Sequence, residues 1–320
     1  TQYCKFDRKN YFYPDNPQNY QISQLYLPIC RNGYVEIGTE NGIKAIGIHE
    51  IHMEEDAGKM IHDECEDCSL VDYNRSGVPL IEIVSEPDMR SAEEVIAYLE
   101  KLRMLIQYLG ASDCKLNEGS MRADVNLSIR EVGAKEYGTR TEMKNLNSFR
   151  SITHAIEAER ERQIELLESG HAVVQETRRW DENREESYAM RSKEDAQDYR
   201  YFPDPDLLPL EISDEQIERI RSTMPELPSA TRARYTHEFG LPEYDAARLT
   251  ESTDISHWYD TSVNGDKKRA KGVANWMISE LFAHPENWDI KNEKSGIVDD
   301  MRIITPSDLA ELVDMVAENT

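Results

Sequence analysis

The sequence lacks the long apolar runs and export signals that would direct a protein into or across a membrane. No stretch of its 320 residues approaches the ~20 consecutive apolar residues that a membrane-spanning helix needs. The first residues do not show the basic-then-apolar pattern of a secretory signal. The mean hydropathy is −0.70 and 39% of the residues are hydrophobic. We therefore expect a cytoplasmic protein that makes no contact with a membrane.

Cysteine is scarce as well. The chain has five cysteines, an odd number without the spacing of a disulfide framework, which favours free thiols in a reducing compartment. Cys65 and Cys68 have the spacing of zinc ligands, but no second pair of cysteines or histidines follows them. Cys4, Cys30 and Cys114 could join such a site only through the fold. We therefore expect no structural zinc.

Basic residues are few. The chain has 37 Lys plus Arg against 62 Asp plus Glu, a formal net charge of −25. A free-standing protein that binds nucleic acid usually shows the reverse balance. Two explanations stay open. Either the protein works at high ionic strength, or another segment or a partner subunit supplies the positive surface.

Two common enzyme signatures are also missing. The sequence has no glycine-rich phosphate loop of the Walker or Rossmann type. Its eight histidines are scattered, without the nucleophile elbow of a Ser-His-Asp hydrolase. The predicted strands and helices do not follow a βαβ rhythm, which indicates an α+β fold with a largely antiparallel sheet. Strands are predicted at residues 43–55, 78–84, 171–181 and 186–191, with an extended segment at 20–29.

Two long helices are predicted, followed by a change of pattern. Residues 91–110 begin with a capping box at Ser91 and Glu94, and this helix and the next, at residues 148–170, both end at a glycine. Beyond Pro209 short helices are separated by Pro and Gly, at residues 213–223, 229–240, 270–283 and 306–317. We therefore predict a first domain at residues 1–211 and a helical domain at residues 212–320.

The most informative segment is residues 115–130, KLNEGSMRADVNLSIR. After Glu118 and a Gly-Ser turn, apolar and polar residues alternate as in a strand with two different faces. The apolar face comprises Met121, Ala123, Val125, Leu127 and Ile129, and the polar face Arg122, Asp124, Asn126, Ser128 and Arg130. Alternation alone is typical of a solvated strand. Asp and Asn are poor strand formers, however, and their presence favours a functional site.

A second segment, residues 139–149 (TRTEMKNLNSF), repeats this chemistry. It carries Glu142, Lys144, Asn145 and Asn147. Carboxylate and amide oxygens suit Mg²⁺, whereas Arg and Lys suit phosphate. The two segments together indicate a metal–nucleotide site, with the solvated face as the open alternative.

Three further groups have both a functional and an ordinary interpretation. His52 and Glu54 would share one face of a strand, as metal ligands or as a solvated strand end. Asp198 and Arg200 are interleaved with aromatic residues in DYRYF, as a site wall or as core and turn. Residues 267–271, KKRAK, open a helix where cations oppose the macrodipole, which indicates either phosphate contact or a plain solvated face.

Several long motifs, in a fixed order, carry a resemblance to a known family. These are residues 6–15 (FDRKNYFYPD), 20–24 (YQISQ), 54–59 (EEDAGK), 69–82 (SLVDYNRSGVPLIE), both acidic segments, 198–203 (DYRYFP), 225–228 (PELP) and 235–244. On these motifs the chain resembles the B subunits (GatB) of the aspartyl/glutamyl-tRNA amidotransferases. The resemblance covers nearly the whole chain.

The resemblance implies a fold and a reaction. The expected fold is a cradle-shaped α+β domain, related to glutamine synthetase and the guanidino kinases, followed by a helical domain. The expected protein binds ATP and Mg²⁺ and phosphorylates the side-chain carboxylate of Glu or Asp carried on misacylated tRNA. Ammonia channelled from the amidase subunit (A) then forms the amide, and a small subunit (C) completes a heterotrimer.

The resemblance also implies site residues. It assigns Glu118 and Glu142 as metal-binding catalytic acids. From their face and charge we expect Arg122 and Arg200 to contact phosphate or the acyl phosphate. Four further residues are expected to line the cofactor site, Asp124, Asn126, Lys144 and Asp198.

Some expectations depend on departures from the family. Its members begin with a strand bearing a Glu-x-His metal motif and end with a tail domain, so we expect this chain to be a fragment that is inactive alone. A related archaeal subunit carries a large insertion between its domains, whereas here Pro203 leads straight into residues 207–210.

Two other functions stay open: a non-catalytic scaffold that cradles tRNA, and a small-molecule ligase of the glutamine synthetase type. The sequence does not decide between Glu-tRNA and Asp-tRNA.

Overall fold

The computed structural model describes residues 1–62, 68–192, 198–284, 297–298, 301–302 and 304–318. Within these ranges eight α-helices form: α1 (Ala92–Tyr108), α2 (Phe149–Glu168), α3 (Asp214–Thr223), α4 (Pro228–His237), α5 (Glu243–Arg248), α6 (Thr253–Val263), α7 (Ala270–Trp276) and α8 (Pro306–Ala317). A π-helical turn, Met277–Leu281, follows α7. None of the described helices is both long and apolar enough to cross a membrane.

The described strands are short except for two. They are β1 (Tyr3–Cys4), β2 (Asp7–Asn10), β3 (Tyr20–Ser23), β4 (Cys30–Thr39), β5 (Gly42–Glu55), β6 (Lys59–His62), β7 (Ser69–Asp72), β8 (Pro79–Ser85), β9 (Val125–Leu127), β10 (Thr141–Lys144), β11 (Glu176–Asp181), β12 (Glu186–Ser192), β13 (Phe202–Pro203), β14 (Leu210–Glu211), β15 (Ile297–Val298) and β16 (Met301–Arg302). The long β4 and β5 form a hairpin.

These strands form several small sheets. One has four strands in the order β12-β11-β10-β9, and two have three strands, β4-β5-β8 and β13-β2-β3. The remaining pairs are β1 with β14, β6 with β7 and β15 with β16. Among the described strands only β10 and β11 pair in parallel. The fold is therefore mixed, with helices and largely antiparallel sheets, in agreement with the predicted class.

Contacts along the chain define two compact units. The first comprises Thr1–Lys101 and Lys115–Thr223, and the second comprises Leu102–Cys114 and Met224–Thr320. All the sheets except the β15–β16 pair belong to the first unit. The domain boundary at 211/212 stays a prediction. Helix α3, which lies beyond that boundary, belongs by its contacts to the first unit.

The first unit has an apolar core between α2 and the four-stranded sheet. Met143 of β10 and Trp180 of β11 are buried against Ile152 and Ile156 of α2. Val125 packs against the same core from β9. This core fixes which face of the sheet points inward, and the opposite face carries the polar residues of both acidic segments.

The second unit has a core of its own. Trp258 and Tyr259 of α6, Met277 of the π-helical turn and Leu309 of α8 are fully buried or nearly so. Tyr235 stacks on Phe239, with ring centroids 5.8 Å apart. The second unit is thus a helical bundle around aromatic residues.

Several predicted elements agree with the structure and others differ from it. Helices α1 and α2 lie where they were predicted, and α2 begins at an N-cap, Ser148, whose hydroxyl accepts the Ser151 N–H. The strand expected from residue 121 pairs only over Val125–Leu127, opposite residues 141–143 of β10. The predicted helix at 270–283 changes to a π-helical turn at Met277.

Candidate functional site

The polar face of the four-stranded sheet gathers four of the predicted site residues. Lys144 Nζ lies 2.6 Å from Asp124 and 3.1 Å from Glu142. Asn126 lies directly opposite Glu142 in the β9–β10 register. Thr177 on β11 donates a hydrogen bond of 2.9 Å to Glu142. Alternation along β9 and β10 thus brings carboxylates, an amide and an ammonium group onto one surface, as predicted.

Electrostatics hold these groups in their charged forms. Burial favours the neutral form of Glu142, but Lys144 and the Thr177 hydroxyl outweigh it, so the pKa of this carboxyl lies below its ordinary value. Burial also disfavours the charged form of Lys144. Asp124 and Glu142 reverse that effect and raise the pKa of Lys144. The face therefore presents an ionised acid beside a fixed cation at neutral pH.

The opposite face of β10 is anchored to α2. Thr141 and Met143 point inward, and the Thr141 hydroxyl donates a hydrogen bond of 2.7 Å to the buried carboxylate of Glu159. Asn145 follows the strand with φ at 68°, a left-handed conformation that Asn tolerates better than most residues. Its side chain donates to the carbonyl of Trp180 at 2.9 Å. These contacts fix the strand that presents Glu142.

A second group of acids lies at the end of β5 and connects to the first acidic segment. The Arg122 guanidinium donates to Asp56 at 2.8 Å, although the two residues are 66 positions apart. Arg75 lies 3.8 Å from the same carboxylate. Arg122, a predicted phosphate contact, is thereby held beside the acidic end of β5.

His52, Glu54 and Glu82 form a group that could hold a divalent cation. The β5–β8 register sets His52 opposite Glu82. His52 Nε2 lies 3.4 Å from Glu54 and 3.3 Å from Glu82, and one ligand atom from each residue lies within 4.8 Å of the others. Among the described residues this is the one such group of three or more acids, histidines or cysteines.

The donor set of this group fits a divalent metal ion. Burial lowers the pKa of His52, but hydrogen bonds to Glu54 and Glu82 outweigh it and raise that pKa to about 9. The imidazolium is therefore the positive charge between two carboxylates. His52 Nδ1 is buried 3.4 Å from Glu50 and has no hydrogen-bond partner in the part of the chain that the structure describes. Two carboxylates and an imidazole suit Mn²⁺ and similar ions once the imidazolium has released a proton, and the carboxylates alone suit Mg²⁺.

Two tyrosines lie close enough to Glu54 to be affected by its charge. Burial, with the charge of Asp15 and then that of Glu54, raises the pKa of Tyr11 to about 12. Burial together with Glu54 also raises the pKa of Tyr201. Both phenols therefore stay protonated at neutral pH and are available as hydrogen-bond donors. They belong to two of the motifs that carry the resemblance.

Arg200, which precedes Tyr201 in the DYRYF motif, has an unusual backbone conformation. Its φ is 46°, and its backbone N–H donates to the Asp198 carboxylate at 3.0 Å. Asn10 donates to the Arg200 carbonyl at 2.8 Å. A non-glycine residue in the left-handed region is strained by roughly 1 kcal/mol or more. The role of Asp198 seen in the structure is thus to hold the backbone of Arg200.

Glu118 lies apart from these groups in its contacts. It is an exposed residue of the turn before β9, and its carboxylate pairs with Lys115 at 2.9 Å. It is not a member of the His52 group, and neither is Glu142. The metal role of both acids stays a prediction.

The basic segment at 267–271 is partly neutralised. Lys267 lies 3.5 Å from Glu238, and Arg269 forms two hydrogen bonds to Asp314 at 2.7 and 2.6 Å. Phosphate contact by this segment stays a prediction. Of the two cysteines that have the spacing of zinc ligands, Cys65 lies outside the described residues and Cys68 is exposed.

Sequence reasoning missed two residues of the site. Glu82 was not singled out, because its closeness to His52 depends on the register of β5 and β8. Thr177 was missed because the parallel pairing of β10 with β11 sets it beside Glu142. The apolar segment PLIEIVS was predicted as a strand, but the sequence does not show which strand lies next to it.

Comparisons with known proteins agree with the predicted resemblance. The family described as the GatB/GatE catalytic domain matches residues 1–218. Similar proteins include three that are named as the B subunit of an aspartyl/glutamyl-tRNA(Asn/Gln) amidotransferase. That of Agathobacter rectalis is 67% identical over 320 residues, 100% of this chain and 66% of the relative. Those of Lachnoclostridium phytofermentans and Lachnospira eligens are 60% and 61% identical over 99% of this chain.

The chain is shorter than these relatives. It spans 66%, 64% and 65% of their respective lengths. The match to each runs along essentially the whole of the present sequence. Similarity therefore extends from the sheets of the first unit through the helical bundle of the second.

Proposed function

The chain belongs to the GatB/GatE catalytic-domain family, and from this premise we propose that it is the B-type subunit of an aspartyl/glutamyl-tRNA amidotransferase. In the proposed reaction the γ-phosphoryl group of ATP passes to the side-chain carboxylate of Glu or Asp carried on misacylated tRNA. Ammonia then attacks the acyl phosphate and expels phosphate, which leaves Gln-tRNA or Asn-tRNA. ATP and Mg²⁺ are the proposed cofactors, and a cradle domain related to glutamine synthetase is the proposed fold of residues 1–211.

The chemistry explains why such a site needs both acids and cations. A carboxylate is a poor electrophile, and phosphorylation gives it a good leaving group. Charge on the phosphoryl oxygens must be neutralised during transfer. A bound Mg²⁺ would supply part of that neutralisation and orient the phosphates.

The ion pair between Arg122 and Asp56 is the observation that carries the proposal. It holds a guanidinium, which suits phosphate, next to the acidic end of β5, where His52, Glu54 and Glu82 could hold a metal ion. A phosphate held by Arg122 and a metal ion held by the His52 group would then lie along the same strand and the residue that follows it. A half-exposed arginine paired with an acid 66 residues away also fits a solvated face, and the experiment below decides between the two.

The remaining residues have proposed roles around this centre. Glu142 and Glu118 would bind metal, and Arg200 would contact the acyl phosphate. Asp124, Asn126 and Lys144 would line the nucleotide site, where Lys144 also keeps Glu142 ionised. Asp198 would keep the Arg200 backbone in its strained conformation.

The proposed partners follow from the same reaction. An amidase subunit (A) would release ammonia and a small subunit (C) would complete the heterotrimer. The net charge of −25 implies that this chain alone binds tRNA weakly, because attraction to phosphate dominates nucleic-acid affinity. We expect tRNA affinity to come from other segments and subunits, and to fall as salt is added.

The test is phosphate release from ATP by the assembled complex, with and without misacylated tRNA. Glu142→Gln removes a charge while keeping the size of the side chain, and Glu161→Gln, on an exposed part of α2, is the control. We expect release to require misacylated tRNA and to be lost only in the first variant. Release unaffected by Glu142→Gln would locate the chemistry elsewhere and would favour a tRNA-cradling scaffold. Robust activity on free glutamate would instead favour a small-molecule ligase.

A further inference from the structure

The polar face of the four-stranded sheet extends beyond the predicted residues onto β11 and β12. Arg178 of β11 points inward, since it donates to Ser187 at 2.8 Å and lies 3.5 Å from Glu159. Its neighbours Thr177 and Arg179 therefore point outward, and the bond from Thr177 to Glu142 confirms this for one of them. Arg179 lies beside Lys144 in the parallel register of β10 and β11.

Tyr188 continues the same face on β12. It is paired with Arg179 in the antiparallel register, and such residues share a face of the sheet. Its neighbour Ser187 accepts the inward bond from Arg178, which agrees with an outward Tyr188. The side chain is 47% exposed. A row thus runs from Tyr188 across Arg179 to Lys144, spanning two strand spacings, about 9.6 Å.

Arg179 carries a charge that its surroundings do not neutralise. Within the described part of the chain it is exposed and makes no ion pair or side-chain hydrogen bond, whereas Lys144 pairs with two acids. Two cations side by side on neighbouring strands repel each other. In a chain with 62 acids, an unpaired arginine next to a lysine is a position suited to an anion brought by a ligand.

We propose that Arg179 and Tyr188 form a nucleotide subsite, in which the Arg179 guanidinium contacts the polyphosphate of ATP and the Tyr188 ring stacks on the adenine. The inference rests on the proposed function, because it takes ATP as the ligand. The base would lie over β12 and the phosphates over β11 and β10. This arrangement directs the terminal phosphate toward Glu142, Lys144 and Asp124.

The test is equilibrium binding of a non-hydrolysable ATP analogue and of adenosine to the assembled complex, without tRNA or glutamine. Arg179→Gln should weaken binding of the ATP analogue about 10- to 100-fold and leave adenosine binding unchanged. Tyr188→Ala should weaken both ligands about 5- to 100-fold, whereas Tyr188→Phe keeps the ring and should bind both as the wild type does. Arg184→Gln is the control, because Arg184 is exposed in the β11–β12 turn and pairs with local acids.

Two results would overturn the subsite. One is wild-type affinity for the ATP analogue in Arg179→Gln, and the other is equal loss in Tyr188→Phe and Tyr188→Ala. In the first case a separate titration with tRNA shows whether Arg179 contacts tRNA instead. Failure of the proposed function looks different, since the wild-type complex itself would then bind no ATP.

Discussion

Glu159 offers the sharpest test of how the fold supports the candidate site. Its carboxylate is fully buried under β10 and accepts hydrogen bonds from Arg162 at 2.8 and 2.7 Å, from Thr141 at 2.7 Å and from Gln163 at 2.8 Å. Arg178 lies 3.5 Å away. The carboxylate therefore ties α2 to the strand whose other face presents Glu142.

Glu159→Ala should destabilise the first unit by about 3 kcal/mol. Removing one partner of a buried ion pair costs roughly 3–5 kcal/mol, because the other charge is left uncompensated. Arg162 is 27% exposed, so water can solvate it in part and the lower figure applies. For a unit of about 200 residues this corresponds to a fall in Tm of about 6–12 °C. Glu159→Gln keeps the size and should cost about 1–2 kcal/mol.

The stability that the Glu159 carboxylate contributes should be larger at neutral pH than in acid. Burial would raise the pKa of Glu159, but hydrogen bonds from Arg162, Gln163 and Thr141 outweigh it and hold the pKa below its ordinary value. A carboxyl with a lowered pKa in the folded state contributes stability that is present above the ordinary value. That contribution is lost as the pH falls through the folded-state pKa. The difference between wild type and Glu159→Gln should therefore shrink in acid.

Thermal unfolding and hydrogen exchange would measure this. Exchange should rise in peptides covering β10 and α2, and not in those of the helical bundle. Glu161→Gln is the matched control on the same helix, where an exposed acid lies 3.8 Å from Arg160. An unchanged Tm in Glu159→Ala, or an equal change in Glu161→Gln, would refute the reasoning.

Three other predictions concern separate parts of the molecule. Gly272→Ala would bring a Cβ to 2.6 Å from Val313 Cγ1, so the free energy of unfolding in urea should fall by about 1–3 kcal/mol, and Val313→Ala should partly restore it. An unchanged free energy of unfolding would contradict the packing of α7 on α8. Arg200→Gly should be about 1 kcal/mol more stable than Arg200→Ala, because glycine relieves the left-handed strain; equal stability would argue against that strain. Glu82→Gln should weaken Mn²⁺ binding, measured by electron paramagnetic resonance, about tenfold or more, whereas Glu86→Gln should leave it unchanged. Equal losses of Mn²⁺ affinity in both variants would show that these acids act only through their charge.

The sequence predicted best those elements that rely on local signals. Helix α2 has a serine N-cap, a loose apolar stripe and Gly170 after its end. Helix α6 was missed, because TDISHWYDTSV is rich in Thr, Ser and aromatic residues with modest helix propensity. It is stable because Trp258 and Tyr259 are buried in the core, a tertiary effect that local pattern does not contain.

In the candidate site, too, the features set by local sequence were predicted and those set by tertiary contacts were not. Period-two alternation was enough to predict that Asp124 shares a face with Asn126. That the second segment lies beside the first was inferred from its similar chemistry, and Lys144 lies 2.6 Å from Asp124. The pairing of Arg122 with Asp56 depends on how distant segments meet, which a single sequence does not specify. Glu82 likewise joins His52 only through strand register. Residues on one strand could be predicted together, but contacts between distant strands could not.

The most direct test of the proposed function is transfer of the labelled γ-phosphate of ATP to misacylated tRNA when the ammonia donor is withheld. The assembled complex should then accumulate label on the tRNA as an acyl phosphate that hydroxylamine releases. Adding glutamine should convert it to the amide, and Glu142→Gln should prevent the transfer. Label that never reaches the tRNA, with amide still formed, would contradict phosphoryl activation by this chain.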